Sequence, residues 1–367
     1  MIKVKMILTN AFGPDVRVLK EAKYLVERGF DVELLCWDRE GEYKDRASEE
    51  IEGIKIRRFF SYAKYGSGIK QVIPFVKFIQ ECRDYLKNEK FNYLHCHDLD
   101  GIITGYFSRI NKEVLIFDMH EFYEVNGKRQ KFRYIIRRIV KFFQNKSNYI
   151  IYVNKAQTNT VTDKNKIKLV FLPNYPEATH YVGCEKNQSN QLRVSYIGSV
   201  RQFEQLKNLF EACKDFEEVL VSIHGAGVHS DKLKQIERNY KNVQVTGKYH
   251  FSMSAKLYSE CDLLYAVYPM NNIQNKIVEP IKFFESIITK TPIITDKKAD
   301  IYNLIKEKNI GFGVNGSNVD DIRELIKRVL DNRYVLEQQQ ENLGGMANDY
   351  SWEKKVVCLD KIYCKNN

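Results

Sequence analysis

Short apolar runs rich in Val, Ile and Leu alternate with stretches of helical periodicity along the whole of this 367-residue chain, and the alternation is laid down twice. Strands separated by helices lie parallel, because each return to the same sheet edge needs a crossover of a dozen or more residues. In the first half, "KVKMILT", "DVELLCW", "GIKIRRF", "YLHCH", "VLIFDMH" and "YIIYVN" read as strands. The stretches "DVRVLKEAKYLVERG", "IPFVKFIQECRDYLKNEK" and "KFRYIIRRIVKFFQNK" place apolar residues three and four apart, as helices packed on a sheet do. The polar, weakly patterned "EATHYVGCEKNQSNQ" reads as a linker, and a second alternating set runs from "LRVSYIGS" through "EVLVSIHGAG", "VQVTGK", "DLLYAVYP", "PIITD" and "IGFGV". The expected fold is α/β, two Rossmann-like doubly wound domains over residues 1–175 and 176–349, with a C-terminal helix over 350–367 packing back on the first. In such sheets ligands bind outside the carboxyl ends of the strands, so the expected site is a cleft between facing strand ends.

With 44% hydrophobic residues the chain can bury a sizeable core. Its formal charge of +11 is concentrated, because residues 126–148 hold eight Lys or Arg and no Asp or Glu. Within that stretch Phe132, Ile135, Ile136, Ile139, Val140 and Phe143 form one helical stripe, expected to be core. Arg133, Arg137 and Lys141 fall on another face, expected to be free to meet an anionic membrane surface or a lipid-diphosphate acceptor. The stretch carries no nucleic-acid-binding motif, so no nucleic-acid partner is expected. Eight scattered cysteines without a CxxC pair imply reduced thiols and a cytoplasmic setting. No apolar run approaches the roughly 20 residues of a spanning helix, so membrane contact would be peripheral. "HCHDLD", residues 95–100, reads as a strand end entering a polar loop, and no metal site is expected because no second ligand cluster lies nearby in the sequence.

Five glycines follow strands: Gly13, Gly198, Gly225, Gly227 and Gly247. Glycine there lets backbone approach a phosphate or base, or simply makes a tight turn. Arg201 lies just past a strand and Lys207 near the start of the next helix, where cations can meet a diphosphate or be solvated surface charge. Pro280 stands at a first helical turn, with Lys282 and Glu285 three apart; a carboxylate there could grip a ribose diol or join an i,i+3 ion pair. Asp118, His120 and Glu121 end a strand, and a histidine so placed donates to a sugar hydroxyl or the reacting centre, or is a core histidine. Ser-His-Asp grammar, GxGxxG and GxxxxGK[ST] are absent, which leaves hydrolase, dehydrogenase and P-loop readings without residues.

The order of "PDVRVLKEAKYLVERGFDVELL", "LHCHDLDGIITG", "FDMHE", "YIGSVR", "IHGAG", "VQVTGK", "CDLLYAV", "PIKFFESIITKTPIITD" and "YSWEKK" resembles retaining glycosyltransferases of the GT-B fold, similar to glycosyltransferase family 4. The resemblance implies sugar transfer from a nucleotide-sugar donor, UDP-linked before GDP-linked, to a glycan or lipid-linked acceptor in cell-surface polysaccharide synthesis, with no metal and no further cofactor. It implies that Gly13 faces the donor diphosphate, that His120 lies by the transferred sugar, and that Arg201 and Lys207 hold the diphosphate. Glu285 would hold the ribose, as the second carboxylate of the family's E-x7-E signature, and Gly247, Lys248 and Tyr249 would read the base. One departure stands out. Ile277 occupies the place of the first signature carboxylate, and Glu279 is the nearest carboxylate able to contact the sugar in its stead. A sugar-nucleotide epimerase of the same fold and an inactive GT-B partner subunit are the alternative readings.

Overall fold

A computed structural model describes residues 1–13, 15–124, 132–184, 186–187 and 189–363. The chain forms two compact units, Met1–Pro173 with Val356–Asn367, and Asn174–Lys355. In the first, strands β1 (Lys3–Leu8), β2 (Asp31–Trp37), β3 (Ser48–Ile51), β4 (Ile54–Phe59), β5 (Tyr93–His97), β6 (Val114–Met119), β7 (Tyr149–Tyr152) and β8 (Leu169–Phe171) make one sheet. Its order is β3-β4-β2-β1-β5-β6-β7-β8, parallel except for the β3–β4 pair. The chain order reverses between β1 and β5, which makes their carboxyl ends the switch point where ligands bind in this class of sheet.

Helices α1 (Val16–Glu27), α2 (Val72–Leu86), α3 (Asp98–Ser108) and α4 (Arg133–Lys146) make the crossovers. Asp15 caps α1 by accepting from the Val18 backbone N–H, and Gly29, with φ 79°, ends it. Pro74 is tolerated because it lies in the first turn of α2, where its missing N–H has no partner to lose. The central strands are buried on both faces, so they read as continuous apolar runs and not as alternation.

In the second unit, β9 (Leu192–Ile197), β10 (Val219–His224), β11 (Val243–Gly247), β12 (Leu263–Tyr265), β13 (Ile293–Asp296) and β14 (Gly311–Val314) form a parallel sheet in the order β11-β10-β9-β12-β13-β14. Its switch point lies between β9 and β12. The helices that bear on the site are α5 (Phe203–Cys213), α6 (Ser230–Glu237), α7 (Ser254–Ser259), α8 (Ile273–Ile277) and α9 (Ile281–Ile288).

The structure differs from the sequence reading in four places. The expected linker, within the bounds expected for the second domain, is not a free connector, because the Lys186 ammonium donates to the carbonyls of Tyr258 and Cys261. The chain returns to the first unit at Val356 instead of residue 350, as a 3-10 segment, Val356–Lys361, instead of a long helix. Two elements escaped the sequence reading: the short antiparallel edge strand β3 and helix α3, which begins in the stretch read as a polar loop. Finally, the stripe on α4 is not all core. Val140 and Phe143 are buried, whereas Phe132, Ile135 and Ile139 are 62%, 59% and 36% exposed. The first half of α4 is mostly exposed, while Lys128, Arg129 and Lys131 lie outside the described residues.

Candidate active site

At the β1/β5 switch point of the first unit, four elements converge on one carboxylate. Asp118, near the end of β6, is fully buried and accepts from both Nε and Nη2 of Arg17 at 3.1–3.3 Å. Arg17 comes from the first turn of α1 and is 2.9 Å from Glu21 Oε1. The other side of Asp118 faces histidines: His120 Nε2 is 2.7 Å from its Oδ2, His97 Nδ1 3.3 Å and His95 Nε2 3.8 Å. His95 Nδ1 lies 2.8 Å from the hydroxyl of Tyr363, which the returning C-terminal segment brings in. All of this follows from strand register, since β5 and β6 pair with His97 beside Asp118.

Burial and pairing sort the charges. Burial opposes ionisation of Asp118, but Arg17 and His120 hold its carboxyl well below the usual range. Burial likewise opposes the charge on His120, yet Asp118 and Asp98 raise its pKa to about 9. His97 is pushed down to about 3 by burial and by His95, and Glu21 is pushed up to about 8, chiefly by burial. The cluster therefore balances Arg17 and His120 against Asp118 and Asp98, with His95 and His97 neutral. Glu21, His95, His97 and Asp118 bring one ligand atom each within 4.8 Å of one another, the spacing of a metal site. Arg17 already engages both carboxylates, so the arrangement works as an ion-paired network around His120.

In the second unit the candidate residues gather at the β9/β12 switch point. Gly198, just after β9, has φ 136°, and a Cβ on it would stand 2.5 Å from Lys282 Nζ. The Lys282 ammonium lies over the Tyr196 ring at 4.8 Å. One turn further along α9, Glu285 accepts from the hydroxyls of Tyr181 and Tyr258 at 3.0 and 2.8 Å. Tyr249 belongs to the same group, because burial, Glu285 and Tyr196 push its hydroxyl up to about 12. Lys282 and Glu285, three apart, thus point to different partners, an ammonium toward the glycine exit and a carboxylate inside a tyrosine box.

Comparison with known proteins decides what this architecture is. Residues 13–174 match the model of Glycosyltransferase Family 4. An uncharacterized glycosyltransferase of Methanocaldococcus jannaschii is 22% identical over 99% of both chains. The fold is similar to that of sucrose-phosphate synthase from Thermosynechococcus elongatus, with a TM-score of 0.76, 13% identity and 99% and 98% of the two chains covered. It is also similar to Anabaena HepE in complex with UDP-glucose, with a TM-score of 0.68, 13% identity and 99% of both chains covered. The fold is that of the GT-B glycosyltransferases.

The structure places the expected site residues as follows. His120 sits at the β6 exit inside the Asp118 network. Gly13 has a local reason to be glycine, since a Cβ there would come 2.2 Å from the Tyr43 hydroxyl. Gly225 and Gly227 likewise serve close backbone approach, with added Cβ atoms 1.9 Å from the Gly198 carbonyl oxygen and 2.3 Å from that of Val200. Gly247, at the end of β11, is open on its Cβ side. Arg201 precedes α5 and Lys207 lies in its second turn, both exposed, and Asn208 donates to the Gly316 carbonyl at 3.0 Å. Pro280 is the residue just before α9. Glu279 is half-buried just before α9, where it adds to burial in pushing the Tyr175 and Tyr350 hydroxyls up.

Arg137 is not free as expected: its Nε is 3.8 Å from Glu124 Oε1. Arg133 stacks on its neighbour Tyr134, and Lys141 is half-buried on α4. Sequence reasoning missed Arg17, Glu21, His95, His97 and Tyr363 as parts of one network, and Tyr181 and Tyr258 as partners of Glu285. Only "HCH", with two histidines on one face of a strand, hinted at the first group.

Proposed function

We propose that this protein is a glycosyltransferase that moves a sugar from a UDP-sugar to a glycan or lipid-linked acceptor in cell-surface polysaccharide synthesis, with retention at the anomeric carbon and without a metal ion. The observation that carries the reading is the pairing of Lys282 beside the Gly198 exit with Glu285 in its tyrosine box, at the switch point of the second sheet. A carboxylate suits a ribose diol, and an ammonium with exposed Arg201 and Lys207 suits a departing diphosphate, whose negative charge grows in the transition state. UDP complexes of the Anabaena protein support the choice of nucleotide. Ile277 cannot supply the first signature carboxylate, and Glu279, half-buried just before α9, is the nearest carboxylate to contact the sugar in its stead.

Calorimetric titration with UDP and GDP tests the donor side, with UDP expected to bind more tightly. Mass spectrometry of products from a panel of nucleotide sugars with a membrane-lipid extract tests the reaction. Turnover of nucleotide sugar to an epimer without acceptor would replace transfer by epimerisation, and binding of neither nucleotide would favour an inactive partner subunit.

The acceptor side of the reading is a peripheral contact with an anionic membrane surface on the cytoplasmic side. Among the described residues no helix is long and apolar enough to cross a membrane. Its support is α4, which exposes Tyr134, Ile135, Ile139 and Phe142 among Arg133, Arg137 and Arg138. A shallow apolar groove between α3 and α4 is lined by Ile103, Phe107, Arg138, Ile139, Phe142 and Phe143. Because α4 runs back from the β6 exit, its exposed first half lies toward the same sheet edge as His120. Cations with interleaved apolar side chains suit an anionic bilayer. Co-sedimentation with phosphatidylglycerol vesicles is expected to exceed that with phosphatidylcholine and to fall when Arg133, Arg137 and Lys141 are reversed to Glu; equal binding to both lipids would defeat this part.

A further inference from the structure

His120 has a carboxylate at each end of its ring. Nε2 lies 2.7 Å from Asp118 Oδ2, and Nδ1 lies 3.4 Å from Asp98 Oδ2. A neutral imidazole has one N–H and one lone pair, so one of its nitrogens would point a lone pair at an oxygen that has only lone pairs to offer. Two sets of contacts hold the carboxylates in place. The Arg17 guanidinium grips Asp118 through Nε and Nη2, which holds it ionised, and Asp98 Oδ1 accepts from the Tyr123 hydroxyl at 2.9 Å and from the His120 backbone N–H at 3.3 Å.

The backbone supports the same arrangement. Asp98, the first residue of α3, has φ 62°, in the left-handed region that a non-glycine residue enters only at some cost. That conformation persists where surrounding contacts hold it, and here they are the contacts to Tyr123 and His120. The remaining groups that face the ring are His97, with Nδ1 3.3 Å from His120 Nε2, and, behind Asp118, Arg17, Glu21 and His95. His97 is fully buried and neutral, so it adds no charge of its own.

We propose that Asp98 and Asp118 together hold His120 with both ring nitrogens protonated, so that this histidine serves the sheet edge as a fixed positive charge and not as a proton donor or acceptor, with Asp98 as its positioning residue. The inference rests on the proposed sugar-transfer site only for what the charge is used for; the state of the ring is a property of the first unit alone. A proton needed by the acceptor oxygen then has to move between substrate groups. Asp98, 37% exposed on its side chain against 14% for His120, is the member of the pair that can accept from a ligand hydroxyl.

The test is NMR of the full chain labelled with 15N in its histidine rings, with the His120 signals assigned by their loss in His120→Gln. In the wild type both ring nitrogens of His120 are expected to read as protonated at pH 7.5. In Asp98→Asn the titration midpoint is expected to fall by at least one pH unit, and Asp98→Glu is expected to restore part of the shift. Tyr123→Phe, which frees Asp98 without removing it, is expected to produce a smaller fall and serves if Asp98→Asn does not fold. A singly protonated ring at pH 7.5 in the wild type, or a midpoint indifferent to both Asp98→Asn and Tyr123→Phe, would overturn the proposal. No nucleotide is present in these spectra, so a failure to bind UDP defeats the donor reading and leaves this result standing.

Discussion

Lys282 and Gly198 occupy each other's space: the ammonium lies where the methyl of an alanine at 198 would have to go, 2.5 Å from the ideal Cβ position. The lysine is thereby delivered to the glycine exit at the switch point of the second sheet. Gly198→Ala is expected to displace the ammonium and, with φ 136°, to strain the backbone by about 1–3 kcal/mol. UDP affinity measured by calorimetry should fall about tenfold, or about 1.4 kcal/mol. Lys282→Met should lose a similar affinity with the urea midpoint nearly unchanged; tight UDP binding by both variants would remove these residues from the donor site.

Glu285 is held by two hydroxyls, so its orientation is fixed before any ligand arrives. Removing one donor from a partly buried carboxylate costs about 1–3 kcal/mol. Tyr258→Phe, whose parent side chain is fully buried, is therefore expected to lower the urea midpoint and to weaken UDP binding modestly. Glu285→Gln should weaken UDP more than Tyr258→Phe does. The opposite ranking would mean that Glu285 is a structural acceptor and not a ribose ligand.

Gly13 and Tyr43 make a second test of crowding. Gly13→Ala puts a Cβ 2.2 Å from the Tyr43 hydroxyl, and the ring cannot retreat freely because Arg58 stacks on it at 4.5 Å. Overpacking of this kind costs about 1–3 kcal/mol. Adding Tyr43→Phe should recover part of the loss in chemical denaturation. No recovery in the double variant would shift the explanation from Tyr43 to whatever else approaches Gly13.

The buried network predicts how stability depends on pH. The folded pKa of His120, about 9, lies above the ordinary histidine value of 6.5, so its contribution is complete below pH 6.5 and is lost as pH rises through about 9. Glu21, raised from 4.5 to about 8, has the same sign: its contribution is present below 4.5 and is lost as pH rises through about 8. Asp118 acts oppositely, contributing above 3.8 and failing only as pH falls through its depressed folded value. Melting temperatures are therefore expected to decline from pH 6.5 to pH 9, with a shallower decline in His120→Gln. A wild-type profile flat over that interval, or identical slopes in the two proteins, would contradict the network.

Much of the first site was hidden from sequence reading because its members are spread over the chain. Arg17, His95, Asp118 and Tyr363 meet only because β1, β5 and β6 are neighbours and the C-terminal segment returns to the first unit. Helix α3 was missed because its first turn, "DLDG", looks like turn chemistry, and Asp98 does adopt a left-handed conformation there before the helix runs on. The segment taken for a linker is polar because Tyr181 and Lys186 spend their polar ends on Glu285 and on carbonyls at the end of α7.

The alternation of apolar strands with amphipathic helices, by itself, determined two parallel-sheet units and put the candidate residues at strand exits, because those periodicities are local consequences of backbone geometry. Tertiary structure alone decided which face of α4 is covered, since burial depends on how far the sheet extends beneath a helix and not on the stripe the helix carries. It alone decided the charge of His120 as well. A pKa is set by the carboxylates that surround a ring, and Asp98 and Asp118, 22 residues before it and two residues before it, become its two flanks only when β5 and β6 lie side by side.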